Sequence, residues 1–598
     1  MKALRHLNKY FYKYRYRLVL GMLFVIVSNL FSAFPAKAVS AAVDELVKYL
    51  QQISSKHLTE FEVKEATAYL TKQVIWFALL IVGLTLLRAL FMFLMRQSII
   101  VMSRLIEYDL KNEVFAHYQI LSASFYRKNN TGDLMARISE DVSRVRMYIG
   151  PAVMYFTNLT ATFLVVIPIM FSVHAQLALW VLAPLPILSY TIFKVNNIIN
   201  KRSDEIQQQL SVITNTAQET FNGIRVLKAF GAERWFKPLF IAQAERYKDK
   251  NLELAKVDAT FFPLMVFLTG CSTLIAVSIG GYYVLHGEIT IGNIAEFVIY
   301  VNLLTWPVAS LGWTSSLVQR AAASQQRLNE FLQEKPEIVQ TTSSGFHFNH
   351  LIEFKGVSFT YPGKQLPALK NINITIEKGR TLAVLGTTGS GKSTFIQLLL
   401  RMMDCTQGDI LIDGKSLSQI DLKAYKNLIG YVPQEVFLFS DTIKNNIAFG
   451  LDLHDSKNLD EEVLKASNAA ALHENVTNFT HGYETMLGER GITLSGGQKQ
   501  RLSIARALIK NPDILILDDC LSAVDTHTEA QILQNLRPIM RNKTTFIVSH
   551  RVSTVKDADF IIVLHEGEIV ESGNHPQLLQ KQGIYYTLYN KQLQEETA

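Results

Sequence analysis

Residues 381–393 read TLAVLGTTGSGKS, an apolar run that breaks into two glycines separated by four residues and then closes on Lys-Ser. The short apolar stretch 381–385 reads as a buried strand, and residues 395–400 open a helix with one apolar face. The loop Gly386-Thr387-Thr388-Gly389-Ser390-Gly391-Lys392-Ser393 therefore sits at a helix N-terminus, where free backbone N–H groups can cradle phosphate. Lys392 can reach the β and γ phosphates of a bound nucleotide, Thr394 joins the same contact set, and the Ser393 hydroxyl can ligate a Mg²⁺ bridging the phosphates.

A second stretch, residues 514–525, ILILDDCLSAVD, supplies the other half of such a site. Ile514 to Leu517 form an apolar strand ending in Asp518, whose carboxylate would emerge at the strand's C-terminal edge, where ligands of an open parallel sheet gather. Asp518 is thus the expected Mg²⁺ partner.

Between the halves lies Leu494-Ser495-Gly496-Gly497-Gln498-Lys499-Gln500-Arg501, followed by an Ala- and Leu-rich helical run. This segment resembles the signature of ATP-binding cassette (ABC) proteins. Ser495, Gly496, Gly497 and Gln498 at a helix N-terminus offer a second phosphate-binding surface with the positive end of the helix dipole. The resemblance implies that this surface serves the nucleotide of an opposite subunit, so two ATP molecules are sandwiched between two cassettes. It extends from Leu351 to about Gln592. Tyr361 resembles the aromatic that stacks on adenine, and Gln434, in Tyr431-Val-Pro-Gln434, resembles the glutamine that senses Mg²⁺ and the membrane domain. His550 resembles the switch histidine at the γ-phosphate, and Asp525 the aspartate that links the two sites. Gly488-Glu489-Arg490-Gly491 resembles the loop with which exporters touch the partner's intracellular helices.

One residue departs from the pattern. Family members that hydrolyse rapidly carry glutamate after the strand-terminal aspartate; here Asp519 stands there. Aspartate offers the same charge about 1.5 Å short, and positioning is most of what phosphoryl transfer asks of the protein. The expectation is intact ATP binding with slow or negligible hydrolysis. Similar chains occur in heterodimeric multidrug half-transporters, in which the partner supplies the glutamate. A homodimer with two slow sites and an ATP-gated regulatory membrane protein stand as alternatives.

Composition points the same way. The chain has 598 residues, 49% of them hydrophobic, with mean hydropathy +0.15, and the apolar excess lies before residue 320. Six apolar segments, roughly 18–39, 74–95, 149–172, 176–194, 261–285 and 291–313, approach the length needed to cross a bilayer. Basic residues crowd the N-terminus (Lys2, Arg5, Lys9, Lys13, Arg15, Arg17) and the stretch between the second and third segments. Both should face the cytoplasm, in a multi-pass cytoplasmic (inner) membrane protein whose nucleotide-binding domain is also cytoplasmic. The +7 net charge fits this membrane-surface bias, and no aromatic-interleaved basic motif suggests nucleic acid. Cys271, Cys405 and Cys520 have neither metal nor disulfide spacing.

The expected architecture is an α-helical six-span transmembrane domain (1–331), a linker (332–350), an α/β P-loop cassette (351–592) and a short tail (593–598). Charged helical stretches between spans two and three and between four and five should project far from the membrane. Residues 131–138 and 218–230 resemble the coupling regions of type IV exporters. The stretch from about 40 to 72 should extend the first two spans as helix. The expected cargo is an amphipathic drug or lipid. Arg88 falls inside the second span, where similar lipid A flippases carry a cavity arginine that meets lipid phosphate; pairing with a neighbouring helix is the alternative. Asn29, Lys37, Asn158, Asn302 and Trp306 also lie in the spans, with no role assigned.

Overall fold

The computed structural model describes residues 2–55, 60–338, 345–451, 458–488, 491, 494–521 and 526–597, without the side chains at 54, 55, 60, 526 and 595–597. The chain divides into two compact units, residues 1–119 with 129–334 and residues 120–128 with 335–598.

The first unit is helical. Among the described residues, six of its helices are long and apolar enough to cross a membrane: α1 Arg15–Ile53, α2 Phe61–Ile120, α3 Thr131–Val173, α4 Ala175–Asn222, α5 Glu233–Leu285 and α6 Ile291–Gln333. Crossing takes about twenty residues, and these helices run from 39 to 60. The apolar segments mark only the part of each helix that lipid would touch; the charged stretches continue the same helices. α2 alone spans about 90 Å. Its N-terminal extension meets the C-terminal extension of α1, where Tyr49 Oη lies 2.6 Å from Thr67 Oγ1.

Some polar side chains in the spans pair across helices, which offsets the cost of burying them. Asn29 on α1 donates to Asn158 Oδ1 on α3 at 2.9 Å, and Thr162 Oγ1 donates to Asn29 Oδ1 at 2.7 Å. Asn29 and Asn158 are thus occupied with each other. Outside the spans, a ladder ties the N-terminal segment to α2: Lys13 and Tyr14 reach Asp109 at 2.6 and 3.0 Å, and one turn further along Lys9 and Tyr10 bind Glu113.

The second unit carries two sheets. Strands β1 (Leu351–Phe359), β2 (Leu369–Glu377), β4 (Gln407–Ile412) and β5 (Lys415–Ser416) form an antiparallel sheet in the order β2-β1-β4-β5. The other contains β3 (Thr381–Gly386), β6 (Ile429–Val432), β7 (Ile514–Asp518), β8 (Thr544–Ser549), β9 (Phe560–His565) and β10 (Glu568–Gly573), ordered β10-β9-β3-β8-β7-β6. All its pairings are parallel except β10 on β9. The helices that matter for the site are α7 (Lys392–Leu399), α8 (Gly496–Leu508) and the C-terminal α9 (Ile584–Thr597).

β3, β7 and β8 are buried along their whole length, which explains why the sequence shows continuous apolar runs there instead of alternation. Their side chains still alternate between two cores. Leu382, Val384, Ile514, Ile516, Phe546 and Val548 pack in one, while Ala383, Leu385, Leu515, Leu517 and Ile547 pack in the other. The sheet is therefore clamped from both faces, and the C-terminal ends of β3, β7 and β8 form a rigid edge.

Candidate functional site

At that edge the chain leaves β3 at Gly386 and re-enters helix at Lys392. Gly389 and Gly391 take φ of +85° and +104°, a region that side chains rarely adopt. A Cβ on Gly391 would also lie 2.7 Å from the Ala368 carbonyl oxygen, and one on Gly386 would lie 2.4 Å from that of Leu564. Gly391 is needed for space as well as for backbone freedom, and Gly386 for space.

Thr387, Thr388, Gly389 and Ser393 are exposed along the loop, whereas Ser390 is buried and its Oγ has no hydrogen-bond partner among the described residues. Lys392 Nζ folds back to donate to the carbonyls of Gly386 (2.7 Å) and Thr387 (2.8 Å). Burial pushes this ammonium below the usual lysine range, with Asp519 and Asp518 opposing the shift. A positive-φ cradle, an orphaned buried hydroxyl and an ammonium over the loop are together a good fit for an anionic phosphate chain.

Thr394, in the first turn of α7, is buried with its Oγ1 3.1 Å from Tyr361 Oη. Tyr361 stands edge-on to Phe359 with ring centroids 4.9 Å apart. Its orientation is thereby fixed from two sides.

Asp518 ends β7 and is buried. Burial, reinforced by the neighbouring Asp519, holds its carboxyl above the usual aspartate range, while a hydrogen bond from Tyr431 and the charge of Lys392 oppose the shift. Tyr431 Oη donates to Asp518 Oδ2 at 3.4 Å. Among the described residues no three His, Cys, Asp or Glu side chains converge as a metal cage.

Asp519 adopts φ +45° and its backbone N–H donates to Val548 O at 2.8 Å, so the strand pairing fixes its direction. Its carboxylate meets two of the expected site residues. His550 Nδ1 lies 3.0 and 3.2 Å from the two oxygens, and Gln434 Nε2 donates to Oδ2 at 3.3 Å. Gln434, Asp519 and His550 are brought together from three separate segments.

Ser495 caps α8. Its Oγ accepts from Gln498 N–H at 3.3 Å, and Gln498 Oε1 accepts from Ser495 N–H at 2.9 Å, a reciprocal capping box. The Gln498 side chain is committed to the cap, while Ser495 and Gly496 remain exposed. Asp525, Glu489 and Arg490 lie outside the described residues.

Three residues with no role in the sequence reading also shape the site. Tyr431 contacts Asp518. Gln592 on α9 donates to His550 O and accepts from Val552 N–H, both at 2.7 Å. Arg506 on α8 donates to the Asn446 carbonyl at 2.7 Å and the Phe437 carbonyl at 2.9 Å, tying the signature helix to the segment after Gln434. Burial lowers this guanidinium to about 10.

Six membrane-length helices among the described residues and a phosphate-loop cassette on one polypeptide define a membrane-bound nucleoside-triphosphate-binding protein. Comparison with known proteins gives its family. Residues 18–308 match the ABC transporter transmembrane region, and residues 369–522 match the ABC transporter family model. The chain is 33% identical to the multidrug resistance-like ATP-binding protein MdlA of Escherichia coli over 99% of its length and 97% of that protein's. It is 35% identical to an ATP-dependent lipid A-core flippase of Syntrophus aciditrophicus over 82% of this chain and 80% of the relative. The fold of a bacterial Atm1-family ABC exporter with ATP bound superposes with a TM-score of 0.77 at 24% identity, covering 97% of this chain and 98% of that one. The protein belongs to the ABC transporter family: it is a multi-pass membrane protein whose cassette binds ATP and is an ATPase coupled to transport.

Proposed function

We propose that the chain is one half of a dimeric exporter that moves amphipathic compounds, drugs or lipids, across the cytoplasmic membrane, and that its own ATP site turns over slowly. In this reading residues 1–331 form the membrane domain, and residues 332–350 link it to the cassette, 351–592. The N-terminus and the cassette are cytoplasmic, as the basic N-terminal segment favours.

Residues 386–394 hold the phosphates, Tyr361 faces the adenine, and Ser393, Asp518 and Gln434 hold Mg²⁺. The ion's contribution is to neutralise the β- and γ-phosphate oxygens. Ser495, Gly496, Gly497 and Asp525 complete the partner's site, so nucleotide binding closes two cassettes on each other. Closure turns the cavity outward, and hydrolysis resets it.

The observation that carries the slow-site reading is Asp519. Its carboxylate is aimed by a fixed backbone at Gln434 and His550, and it lacks the methylene that would bring it nearer a water beside the γ-phosphate. A heterodimer follows, in which a second half-transporter supplies a glutamate. The amphipathic cargo draws on relatives named for multidrug resistance and lipid A-core flipping. Arg88 adds to this: its side chain is exposed on α2 and has no hydrogen bond or ion pair among the described residues, which suits an anionic headgroup.

The test is ATPase activity of the chain purified alone in lipid and then with a candidate partner carrying glutamate. Low turnover alone and brisk turnover together is the expected result. Brisk turnover alone, abolished by Asp519→Asn, would establish a catalytic Asp519 and a homodimer.

A further inference from the structure

The end of α6 and the residues that follow it touch the hairpin of α2 and α3 in three places. The first is a buried ion pair: Arg327 on α6 binds Asp141 on α3, whose side chain is only 3% exposed. The second, one turn on, is Phe331. Fully buried, it meets the His117 ring of α2 edge to face at 4.9 Å, and the Arg137 guanidinium of α3 lies 5.6 Å from its centroid. The third lies past the end of α6, where Glu337 accepts hydrogen bonds from Ser124 and, at 3.4 Å, from Ser122 and Lys128 in the turn of the hairpin.

These contacts fall on both sides of a boundary. The turn of the hairpin, 120–128, belongs with Glu337 to the compact unit of the cassette, while Arg327, Phe331 and Asp141 belong to that of the spans. The chain passes between the units after 119, after 128 and after 334. Glu337 fastens together the stretches on the cassette side of those crossings, and Arg327 and Phe331 fasten the stretches on the span side.

The chemistry of the first contact fits a link better than a source of stability. Desolvating two charges offsets most of their attraction, so a buried ion pair adds little net stability, and its best-attested use is to fix the register of two elements. Asp141 also closes a π turn, Arg137–Asp141, a widened turn of a kind frequent at functional sites. All three contacts are made within one chain, and Asp141 is buried by its own chain, so the pair does not depend on a partner subunit.

We infer that Arg327 and Glu337 are positioning residues for the coupling of nucleotide to membrane, a role that rests on the exporter reading above. They bind the end of α6 and the linker to the α2–α3 hairpin, so that a nucleotide-driven movement of the cassette reaches three spans together instead of passing through the linker peptide alone.

Amide hydrogen exchange of the assembled transporter in lipid, with and without Mg²⁺ and ATP, tests this without a transported compound. Peptides over 386–400 report nucleotide binding, and peptides over the outer ends of the spans, 40–53 and 286–296, report what reaches the membrane. In the unaltered protein both sets should change with ATP. Arg327→Met and Glu337→Gln should keep the first change and weaken the second, and combined they should cut the ATP-driven shift in the opening equilibrium about fivefold or more. Arg327→Lys, which keeps the charge, should restore most of the response. Arg327→Met strands a buried carboxylate, so Asp141→Leu with Arg327→Met, which removes both charges, is the variant expected to fold without that cost; it should stay uncoupled. A full response at the outer ends in that double variant, or none in Arg327→Lys, would overturn the inference. Loss of the 386–400 change in the same proportion would also overturn it, because the defect would then lie in nucleotide binding. Outer ends that ignore ATP in the unaltered transporter would instead overturn the exporter reading, and this role with it.

Discussion

His550 Nδ1 stands 3.0 Å from Asp519 Oδ1, while the other carboxylate oxygen accepts from Gln434. The Asp519 side chain thus bridges the two segments that carry Gln434 and His550. The left-handed backbone at Asp519 and its bond to Val548 leave the side chain only its own rotamers with which to extend.

The first prediction tests reach directly. Asp519→Glu should raise ATP turnover at this site by about tenfold or more, the lower end of what a positioned base contributes. Asp519→Asn should leave nucleotide affinity within about twofold, because the binding loop is untouched. An unchanged rate in Asp519→Glu would locate the defect elsewhere. Single-turnover assays on the assembled transporter, with the partner site disabled, make the measurement.

Tyr431 is the second. Its hydroxyl is the neighbour that orients Asp518, and partners of metal ligands typically matter by about tenfold or more in metal affinity. Tyr431→Phe keeps the ring in the core and removes only the donor. The Mg²⁺ concentration that half-saturates ATP binding should rise by about tenfold, while binding of metal-free nucleotide stays as it was. Equal loss with and without Mg²⁺ would mean that the ring's packing, and not its hydroxyl, is what matters.

Much of the cassette was legible because its information is local. The phosphate loop, the β7 aspartates and the α8 cap each occupy a few consecutive residues, and apolar runs mark the flanking strands. Even Gln498 carried a readable signal: Ser495-x-x-Gln498 is the capping-box spacing, which explains why its side chain folds onto the cap. The partners missed are distant in sequence. Tyr431 and Asp518 are 87 residues apart, and Gln592 and His550 are 42 apart; no periodicity connects them. In the membrane unit, hydropathy located six spans, but it cannot say which way a helix is turned. The pairing of Asn29 with Asn158 needed the coordinates.

A third prediction concerns acid. Asp413 accepts from the backbone N–H groups of Asn349, His350 and Leu351 at 2.6, 2.7 and 2.9 Å, fastening the start of β1. Burial alone would raise its carboxyl; the three N–H groups and His350 outweigh burial and hold it below the ordinary value of 3.8. A carboxyl lowered on folding stabilises above its unfolded value and loses that contribution as pH falls through the folded one. Asp413→Asn suits the left-handed backbone here, φ +51°, and it removes the charge together with one of the two accepting oxygens. It should lower the cassette's melting temperature at pH 7 by a few degrees, with the gap steady down to about pH 4 and shrinking below it. A gap independent of pH would assign the effect to geometry.

The last prediction concerns the C-terminal helix. Gln592 holds the carbonyl of His550 and the N–H of Val552 with one amide, so α9 fixes the loop that carries the histidine. Gln592→Ala removes two hydrogen bonds worth about 1 kcal/mol each, and the histidine loop gains freedom. ATP turnover at this chain's own site, read in single-turnover assays with the partner site disabled, should fall severalfold through the maximal rate, with ATP affinity nearly unchanged, because the phosphate loop and Tyr361 are untouched. Gln592→Glu keeps the acceptor for Val552 but loses the donor to His550, and it places a carboxylate beside that carbonyl. It should therefore be at least as slow as the alanine variant. Normal turnover in Gln592→Glu would show that Val552, and not His550, is the contact that matters; loss of affinity in both variants would show that α9 supports the whole cassette instead of the histidine loop.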